Sequence, residues 1–261
     1  MIIAQITDTH LGDADVADPV FSVRAENLRD CIADINDLDP LPDAVIHTGD
    51  MTQNGQAAEF AHAQALLAAL EVPFYVTPGN RDGREEMVRA FAGDGRMMPD
   101  CAFVHYAIEE HPLRLVTVDS LADDGSAKGD LCPARLAALD STLAEAPTQP
   151  TALFMHHPPF DVPTAPDPFA YQRRRAGSDL AAVISRHPQV ARIFTGHMHR
   201  PWTATVGGVA ASTVPSVAVD LRKGHYAPTM AGRPVYQVHR FEGDWGFASE
   251  TRLAGSGAIS R

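Results

Sequence analysis

The chain has 261 residues, of which 45% are hydrophobic and 21% are charged, a balance typical of a folded globular protein and not of a disordered one. Its formal net charge of −12 argues against a nucleic-acid coat or a protein that binds a membrane surface, because both need a basic face. The negative net charge does not exclude an anionic substrate, provided that metal ions supply positive charge locally.

The N-terminus and the cysteines lead us to expect a cytoplasmic protein. The segment Met1–Asp8 has no basic start and reaches an acidic residue too early for a signal peptide. No apolar run approaches the roughly 20 residues that span a bilayer. For that reason we expect no membrane partner. Cys31, Cys101 and Cys132 show no pairing pattern, so we expect reduced thiols.

The first third of the chain alternates between short apolar runs, predicted as buried strands, and segments predicted as helices. In chain order these elements are Ile2–Ile6, Val20–Leu38, Ala44–His47, Ala57–Leu70, Phe74–Val76 and Glu85–Phe91. The order strand, helix, strand, helix, strand, helix predicts a parallel sheet with helices on its faces, and therefore an α/β fold.

The rest of the chain is less regular. We predict a hairpin from Phe103–Ile108 and Leu113–Val118, and then the helix Pro133–Leu143, the strand Ala152–Met155, the helix Leu180–Arg186 and the strand Val190–Phe194. Antiparallel strands are predicted at the end, over Val209–Val214, Val235–Phe241 and Trp245–Ser249. Neither a repeat nor a linker divides the chain, so we predict one domain over residues 1–254 and a tail over residues 255–261.

The segment 158–177 holds five prolines and three consecutive arginines and is too long for a plain connection, which predicts a substrate loop or lid. A solvated surface is the more ordinary interpretation of Arg173, Arg174 and Arg175, with steering of an anionic substrate as the alternative. Phe169 and Tyr171 are weaker candidates for stacking on a base.

Polar side chains follow five of the predicted strands at the point where each strand ends. They are Asp8-Thr9-His10, Gly49-Asp50, Gly79-Asn80, His156 and Gly196-His197-Met198-His199. Because sites in open α/β sheets form at the carboxyl ends of the strands, we expect these residues to face one crevice. Each motif alone is common, but five such motifs in order, each at a strand end, are not expected by chance. His157 should point away from His156, so we expect it inside the protein and not among the ligands.

The set comprises two carboxylates, one amide oxygen and four imidazoles, a mixture of N and O donors that suits Mn²⁺, Fe or Zn²⁺. Seven groups are too many for one tetrahedral ion and predict two ions that share a carboxylate. Two adjacent metal ions are a known clamp for in-line displacement at phosphorus.

These motifs resemble the calcineurin-like metallophosphoesterases, whose pattern is D-x-H, G-D, G-N-H-[DE], H and G-H-x-H. The segment Phe154–Pro159 is similar to the class III cyclic nucleotide phosphodiesterases and the bacterial glycerophosphodiesterases. The resemblance implies a four-layer α/β/β/α sandwich, with parallel strands first and antiparallel strands toward the C-terminus. It also implies a nucleophilic hydroxide bound to the metal ions.

By this resemblance one ion is held by Asp8, His10 and His199, a second by Asn80, His156 and His197, and Asp50 bridges them. Catalytic roles are implied for Asp50, Asn80 and Arg81, and substrate contacts for Arg81, His156 and His199. We expect Mn or Fe, with Zn as the alternative.

One position departs from the family pattern, because Arg81 stands where the family has histidine. Arginine stays protonated and cannot usefully donate a proton, but it can hold a phosphate oxygen. Gly79-Asn80-Arg81-Asp82 also occurs in enzymes that cleave the pyrophosphate of UDP-diacylglucosamine, which keeps a nucleotide-sugar pyrophosphatase as an alternative. A surface arginine paired with Asp82 is the plain interpretation.

We therefore predict a phosphodiesterase for small phosphodiesters, with 3′,5′-cyclic nucleotides first and glycerophosphodiesters second. A nuclease of the same fold would need a basic groove, and a non-enzymatic scaffold of this fold would have lost ligands, whereas all seven are present. No partner other than a small substrate is indicated, and a homo-oligomer is left open.

Overall fold

The computed structural model of the chain describes residues 1–94, 96–97, 102–243 and 246–255. These residues form five α-helices and eleven strands. The helices are α1 (Pro19–Asn36), α2 (Ala57–Leu67), α3 (Arg84–Phe91), α4 (Pro133–Glu145) and α5 (Ala176–Ile184). Within the described ranges, no helix combines the length and the apolar character needed to cross a membrane.

The first sheet joins the two ends of the chain. In spatial order its strands are β11 (Phe247–Leu253), β10 (Val235–Phe241), β1 (Ile2–Ile6), β2 (Ala44–His47) and β3 (Phe74–Val76). The central strands β1, β2 and β3 are parallel, whereas β10 runs antiparallel to β1 and β11 antiparallel to β10. The carboxyl ends of β1, β2 and β3 therefore meet at one edge.

The second sheet is also mixed. Its spatial order is β4 (Ala107–Ile108), β5 (Arg114–Val118), β6 (Thr151–Met155), β7 (Val190–Thr195), β9 (Val209–Thr213) and β8 (Trp202–Val206). The strands β5, β6, β7 and β9 are parallel, and β4 and β8 pair antiparallel at the two edges.

Alternate residues of β6 show how the layers stack. Ala152 and Phe154 pack with residues of the first sheet, whereas Leu153 and Met155 pack with residues of α4 and α5. Because side chains alternate across a strand, the second sheet has the first sheet on one face and helices on the other. The predicted α/β/β/α sandwich is confirmed.

Several element boundaries differ from the prediction. The hairpin is confirmed only over Ala107–Val118, because the hydroxyl of Tyr106 donates to the Val76 carbonyl (2.7 Å) and the backbone before it leaves the sheet. Helix α5 begins at Ala176, four residues before the predicted start. The edge strand β8 was missed, although its five residues alternate in exposure as an edge strand should.

The C-terminal strand is longer than predicted, since β11 runs to Leu253. Part of its predicted start, Trp245, lies outside the described residues, as do Cys101 and the tail from residue 256. Cys31 and Cys132 are free thiols.

A buried polar network joins the two sheets at His239. Its Nε2–H donates to Gln5 Oε1 (3.1 Å), its Nδ1 accepts from the Ser249 hydroxyl (2.7 Å), and its ring packs on Phe194. Gln5 Nε2 donates in turn to the carbonyl of Thr195 in the second sheet (3.0 Å). Burial, with a smaller contribution from the charge of Arg192, lowers the pKa of His239 to about 3.

We expect His239→Gln to flatten the acid side of the stability curve. Below the pKa of an unfolded histidine, about 6.5, the unfolded chain binds a proton that folded His239 does not, so stability falls as pH falls toward 3. Between pH 7.5 and 5 the wild type should lose about 2 kcal/mol more unfolding free energy than the variant. Urea titrations at both pH values measure this difference. His225→Gln, at an exposed histidine, is the control and should keep the wild-type slope. An equal loss in His239→Gln would contradict the expectation.

Candidate metal centre

All the residues selected from the strand ends meet at one place, where the carboxyl edges of both sheets adjoin. Asp8 and His10 follow β1, Asp50 follows β2 and Asn80 follows β3. From the second sheet, His156 follows β6, and the pair His197 and His199 follows β7. The loops after β1 and β2 continue to pair, since His10 N–H donates to the Asp50 carbonyl (3.0 Å).

The backbone is left-handed at five of these positions, an unusual conformation for residues other than glycine. Their φ angles are 52° at Asp8, 46° at His10, 51° at Asp50, 68° at His197 and 53° at His199. This conformation turns each side chain out of its strand direction and toward the crevice. Such backbone clusters at functional sites, where the surroundings hold it in place.

Two glycines in the motifs allow the close approach of neighbouring loops. A Cβ on Gly79 would lie 2.2 Å from the backbone nitrogen of Asp50, and one on Gly196 would lie 2.1 Å from Thr7 Oγ1. Either contact would push a candidate ligand out of position, which explains the glycines in the G-N and G-H patterns.

The first cluster consists of Asp8, His10, Asp50 and His199, whose ligand atoms all lie within 4.8 Å of one another. His199 Nε2 lies 3.2 Å from Asp8 Oδ1 and 3.3 Å from His10 Nε2. His10 Nε2 is 3.5 Å from Asp50 Oδ2. Apart from the exposed rim of His199, these side chains are buried.

The second cluster consists of Asn80, His156 and His197, with Asp50 between the clusters. Asn80 Oδ1 lies 3.2 Å from His156 Nε2 and 3.0 Å from His197 Nδ1. The other carboxylate oxygen of Asp50, Oδ1, is 3.5 Å from His156 Nε2. Asp50 therefore presents one oxygen to each cluster, as a bridging ligand would.

His157 lies beside the second cluster, but its ring nitrogens already have partners. Nδ1 contacts the Ser120 hydroxyl (2.9 Å) and Nε2 the Ala127 carbonyl (3.2 Å). Its ring packs against that of His197, with centroids 4.5 Å apart. The ring of His157 also lies only 4.8 Å from that of His156, so it does not point away from that residue as expected. Because both its nitrogens have partners, we keep it as a support of the site and not as a ligand.

The hydrogen bonds behind the histidines leave lone pairs facing the centre. His156 Nδ1–H donates to the Thr48 carbonyl (2.8 Å) and His199 Nδ1–H to the Leu221 carbonyl (3.1 Å), so Nε2 is the nitrogen of each ring that faces the centre and that would give up its proton to a metal ion. Metal-binding histidines are characteristically held in this way. Buried Asp8 Oδ1 has no hydrogen-bond donor among the described residues. Carboxylate oxygens, an amide oxygen and imidazole nitrogens that can release their protons converge here, and two divalent metal ions fit both clusters.

The same arrangement keeps the carboxylates ionised. Burial raises the pKa of Asp8, but the facing His199 outweighs it and brings the value to about 2. Burial likewise opposes ionisation of Asp50, yet the charge of His156 holds the pKa of Asp50 well below its usual range. Burial, together with the charge of His156, lowers the pKa of His197 to about 3, so this ring stays neutral. The site is electrostatically prepared to receive positive charge.

Arg81 stands at the mouth of this site. Its backbone N–H donates to Asp50 Oδ1 (2.7 Å), while its exposed guanidinium has no hydrogen-bond or ion-pair partner within the described ranges. The carboxylate of Asp82 is occupied elsewhere, by the N–H groups of Thr52 (2.9 Å) and Gly79 (2.9 Å) among others. Pairing of Arg81 with Asp82, the plain interpretation of the sequence, is wrong.

A cavity of about 240 Å³ opens above the clusters. It is lined by His10, Arg24, Asp50, Gln53, Asn80, Arg81, His197, His199 and Leu221. Sequence analysis missed Arg24, Gln53 and Leu221, because none belongs to a motif. A larger cavity of about 630 Å³ between α2 and β3 contains none of the seven candidate ligands, so size alone does not mark the site.

The segment 158–177 contributes no residue to the lining of the smaller cavity. Tyr171 is buried and its hydroxyl donates to the His157 carbonyl (2.7 Å), so it is not free to stack on a base. Phe169 lies between the cations of Lys128 and Arg174. Arg173 donates to Asp130 (3.3 Å). The substrate role predicted for this segment stays a prediction.

Comparison with known proteins agrees with this geometry. The model of the calcineurin-like phosphoesterase family matches residues 1–201. Over 261 residues the chain is 33% identical to the "Probable glycerophosphodiester phosphodiesterase GpdQ" of Arcobacter nitrofigilis, covering 98% of this chain and 94% of that protein. It is 26% identical over 221 residues to the 3′,5′-cyclic adenosine monophosphate phosphodiesterase CpdA of Escherichia coli K12, covering 84% of this chain and 77% of the relative.

Among solved structures, a dimetal phosphatase from Danio rerio shares the fold. Its TM-score is 0.72 at 16% identity, and the match covers 98% of this chain and 99% of that one. The motifs at the strand ends, the sandwich and the family match agree. The chain belongs to the calcineurin-like phosphoesterase family.

Proposed function

We propose that this metal-dependent phosphodiesterase acts on small phosphodiesters that carry a polyol alcohol, with glycerophosphodiesters ahead of cyclic nucleotides. The observation that carries the proposal is the pair of donor clusters joined at Asp50 beneath a small polar cavity.

We assign Asp8, His10 and His199 to one metal ion, Asn80, His156 and His197 to the other, and Asp50 to both. Mn or Fe suits this mixed N and O set, with Zn as the alternative. When bound, such a pair lowers the pKa of water and neutralises phosphate oxygens.

The residues of the chain supply orientation and charge. The exposed Arg81 guanidinium is free to hold a non-bridging phosphate oxygen, and its backbone N–H fixes the carboxylate of Asp50 (2.7 Å). Arginine is too weak an acid to protonate a leaving alkoxide, so Arg81 acts by binding. Carbonyl acceptors behind His156 and His199 keep both imidazoles aimed at the phosphate site.

The lining of the cavity favours a polyol over a nucleoside. Leu221 is the sole apolar side chain among its described lining residues, which include no Phe, Tyr or Trp, and the three histidines there are assigned to the metal ions. A relative that matches 98% of this chain is named for glycerophosphodiesters. Cyclic nucleotides were ranked first from the sequence, and the name of the Escherichia coli relative supports keeping them as the second candidate.

A substrate panel tests the proposal. Protein stripped with a chelator and reloaded with Mn²⁺ is assayed with glycerophosphoethanolamine, 3′,5′-cyclic AMP and bis-p-nitrophenyl phosphate. We expect hydrolysis of all three only after reloading, with the highest kcat/KM for the glycerol ester. Full activity after chelation would contradict the metal-dependent mechanism. A higher kcat/KM for cyclic AMP than for the glycerol ester would reverse the proposed order of substrates.

We expect Asn80→Ala to weaken one metal site more than the other. A neutral amide binds a cation less strongly than a carboxylate, and the second cluster has no carboxylate of its own besides the shared Asp50. Titration of metal-free protein with Mn²⁺ should show the weaker binding step lost and the stronger one retained. The control is Asn54→Ala, whose side chain donates to Glu59 (2.8 Å) outside the cavity lining. Equal weakening of both steps in Asn80→Ala would contradict the division into two sites.

A further inference from the structure

Gln53 is a cavity residue that the proposed mechanism does not use. It lies just beyond Asp50, on a segment pinned to the loop after β1. Its backbone N–H donates to the Leu11 carbonyl (2.9 Å), and Leu11 N–H donates to the Met51 carbonyl (2.9 Å). Two backbone bonds therefore hold Gln53 at a fixed position on the cavity wall.

The side chain of Gln53 is oriented by Arg24 of helix α1. Arg24 NH1 lies 2.8 Å from Gln53 Oε1. An arginine N–H can only donate, so the atom that it contacts must be the amide oxygen and not the nitrogen. The NH₂ group of Gln53 is then the end turned away from Arg24. It has no hydrogen-bond acceptor among the residues that the structure describes.

Arg24 itself has almost no capacity left for a substrate. Its Nε and NH2 form an ion pair with Asp220 (2.7 Å at the closest), and NH1 also donates to the His10 carbonyl (3.2 Å). Only 6% of the residue is exposed. With four of its five N–H groups engaged, Arg24 is a positioning residue that holds the amide of Gln53 in one orientation.

We propose that the NH₂ group of Gln53 recognises a hydroxyl oxygen on the alcohol part of the substrate, and that Arg24 pre-orients it. The inference rests on the proposed function and deepens it. The phosphoryl charge is matched by Arg81 and the metal ions, whereas a neutral amide donor suits a neutral oxygen. Binding loses little side-chain entropy at the Gln53 amide, because Arg24, itself fixed by Asp220, already restrains it. Gln53 thereby selects polyol esters over esters of plain alcohols.

The test compares two ligands that differ only in hydroxyl groups, glycerol 3-phosphate and n-propyl phosphate. Their Kd values are measured by calorimetry on Mn²⁺-loaded wild type, Gln53→Met and Gln64→Ala. Methionine keeps the length of the side chain but removes the donor, and Gln64 is an exposed glutamine of α2 outside the site. The wild type should bind the glycerol ester roughly 3- to 10-fold more tightly, the value of one hydrogen bond. The preference should vanish in Gln53→Met and persist in Gln64→Ala.

A combined variant tests the role of Arg24. Arg24→Lys keeps a positive charge beside Asp220 but cannot reach all its present acceptors, so it should also reduce the preference. Arg24→Lys/Gln53→Met should lose no more of it than Gln53→Met alone. A further loss in the double variant would overturn the role of Arg24.

Equal weakening of both ligands in Gln53→Met would show a phosphate contact and overturn the proposal, as would an unchanged preference. Turnover of bis-p-nitrophenyl phosphate is followed in parallel with wild-type protein. Absence of turnover would refute the proposed function, whereas the ratio of Kd values tests Gln53 independently.

Discussion

Asp50→Asn should nearly abolish hydrolysis and lower the metal content of the protein. Each oxygen of Asp50 faces a different cluster, at 3.5 Å from His10 Nε2 and 3.5 Å from His156 Nε2. The amide keeps the shape of the side chain but removes the shared negative charge and replaces one acceptor oxygen with a donor. We expect a loss of roughly 10³-fold or more in kcat, comparable to removal of a main electrostatic group in other active sites.

Elemental analysis of purified Asp50→Asn protein measures the second effect. Asp15→Asn, at an exposed aspartate, is the control and should retain full metal content and activity. A variant that keeps its metal ions and turns over at near the wild-type rate would remove Asp50 from the bridging position.

Arg81→Ala should slow hydrolysis by a similar factor for every phosphodiester. If the guanidinium holds a phosphate oxygen, its loss costs about 2–4 kcal/mol, or roughly 30- to 1,000-fold in rate, whatever the leaving group. A proton donor would behave differently, because its loss hurts ribose or glycerol alkoxides far more than p-nitrophenolate. Because the Arg81 guanidinium lines the cavity outside both clusters, we expect metal content to stay unchanged.

The measurement is kcat/KM for bis-p-nitrophenyl phosphate, a cyclic nucleotide and a glycerophosphodiester. Arg81→His restores the family's usual residue and should recover part of the activity. Arg29→Ala, at a surface arginine paired with Glu26, is the control. A loss confined to alkoxide leaving groups would overturn the clamp, and no loss at all would make Arg81 an ordinary surface residue.

The sequence predicted which candidate side chains lie together, because these residues follow the strand ends. A strand such as Ile2–Ile6 is a continuous apolar run, and its end is marked by the polar residues that follow. Once the first strands are parallel, their carboxyl ends must share an edge, so the proximity of Asp8, Asp50 and Asn80 follows from topology. The roles of single residues came from the family resemblance and not from the pattern.

What the sequence did not predict depends on tertiary contacts. The predicted strand Phe103–Ile108 begins late, at Ala107, and the hydroxyl of the preceding Tyr106 bonds to β3, about 30 residues away in the chain. Polar residues of a surface helix usually face solvent, so the position of Arg24 on α1 does not predict its contacts. Only the folded structure shows that it reaches Gln53 and Asp220. Such partners are brought together by the fold and leave no local signal.

The left-handed backbone of the ligand loops sets this enzyme's stability against its activity. At Asp8, His10, Asp50, His197 and His199, a residue with a Cβ occupies a conformation that costs on the order of 1 kcal/mol relative to glycine. Laboratory evolution for heat resistance alone would therefore favour glycine at these positions, and the enzyme would lose candidate metal ligands and activity. A stabilised form of this enzyme should be sought at positions away from these turns, under a selection that also requires turnover.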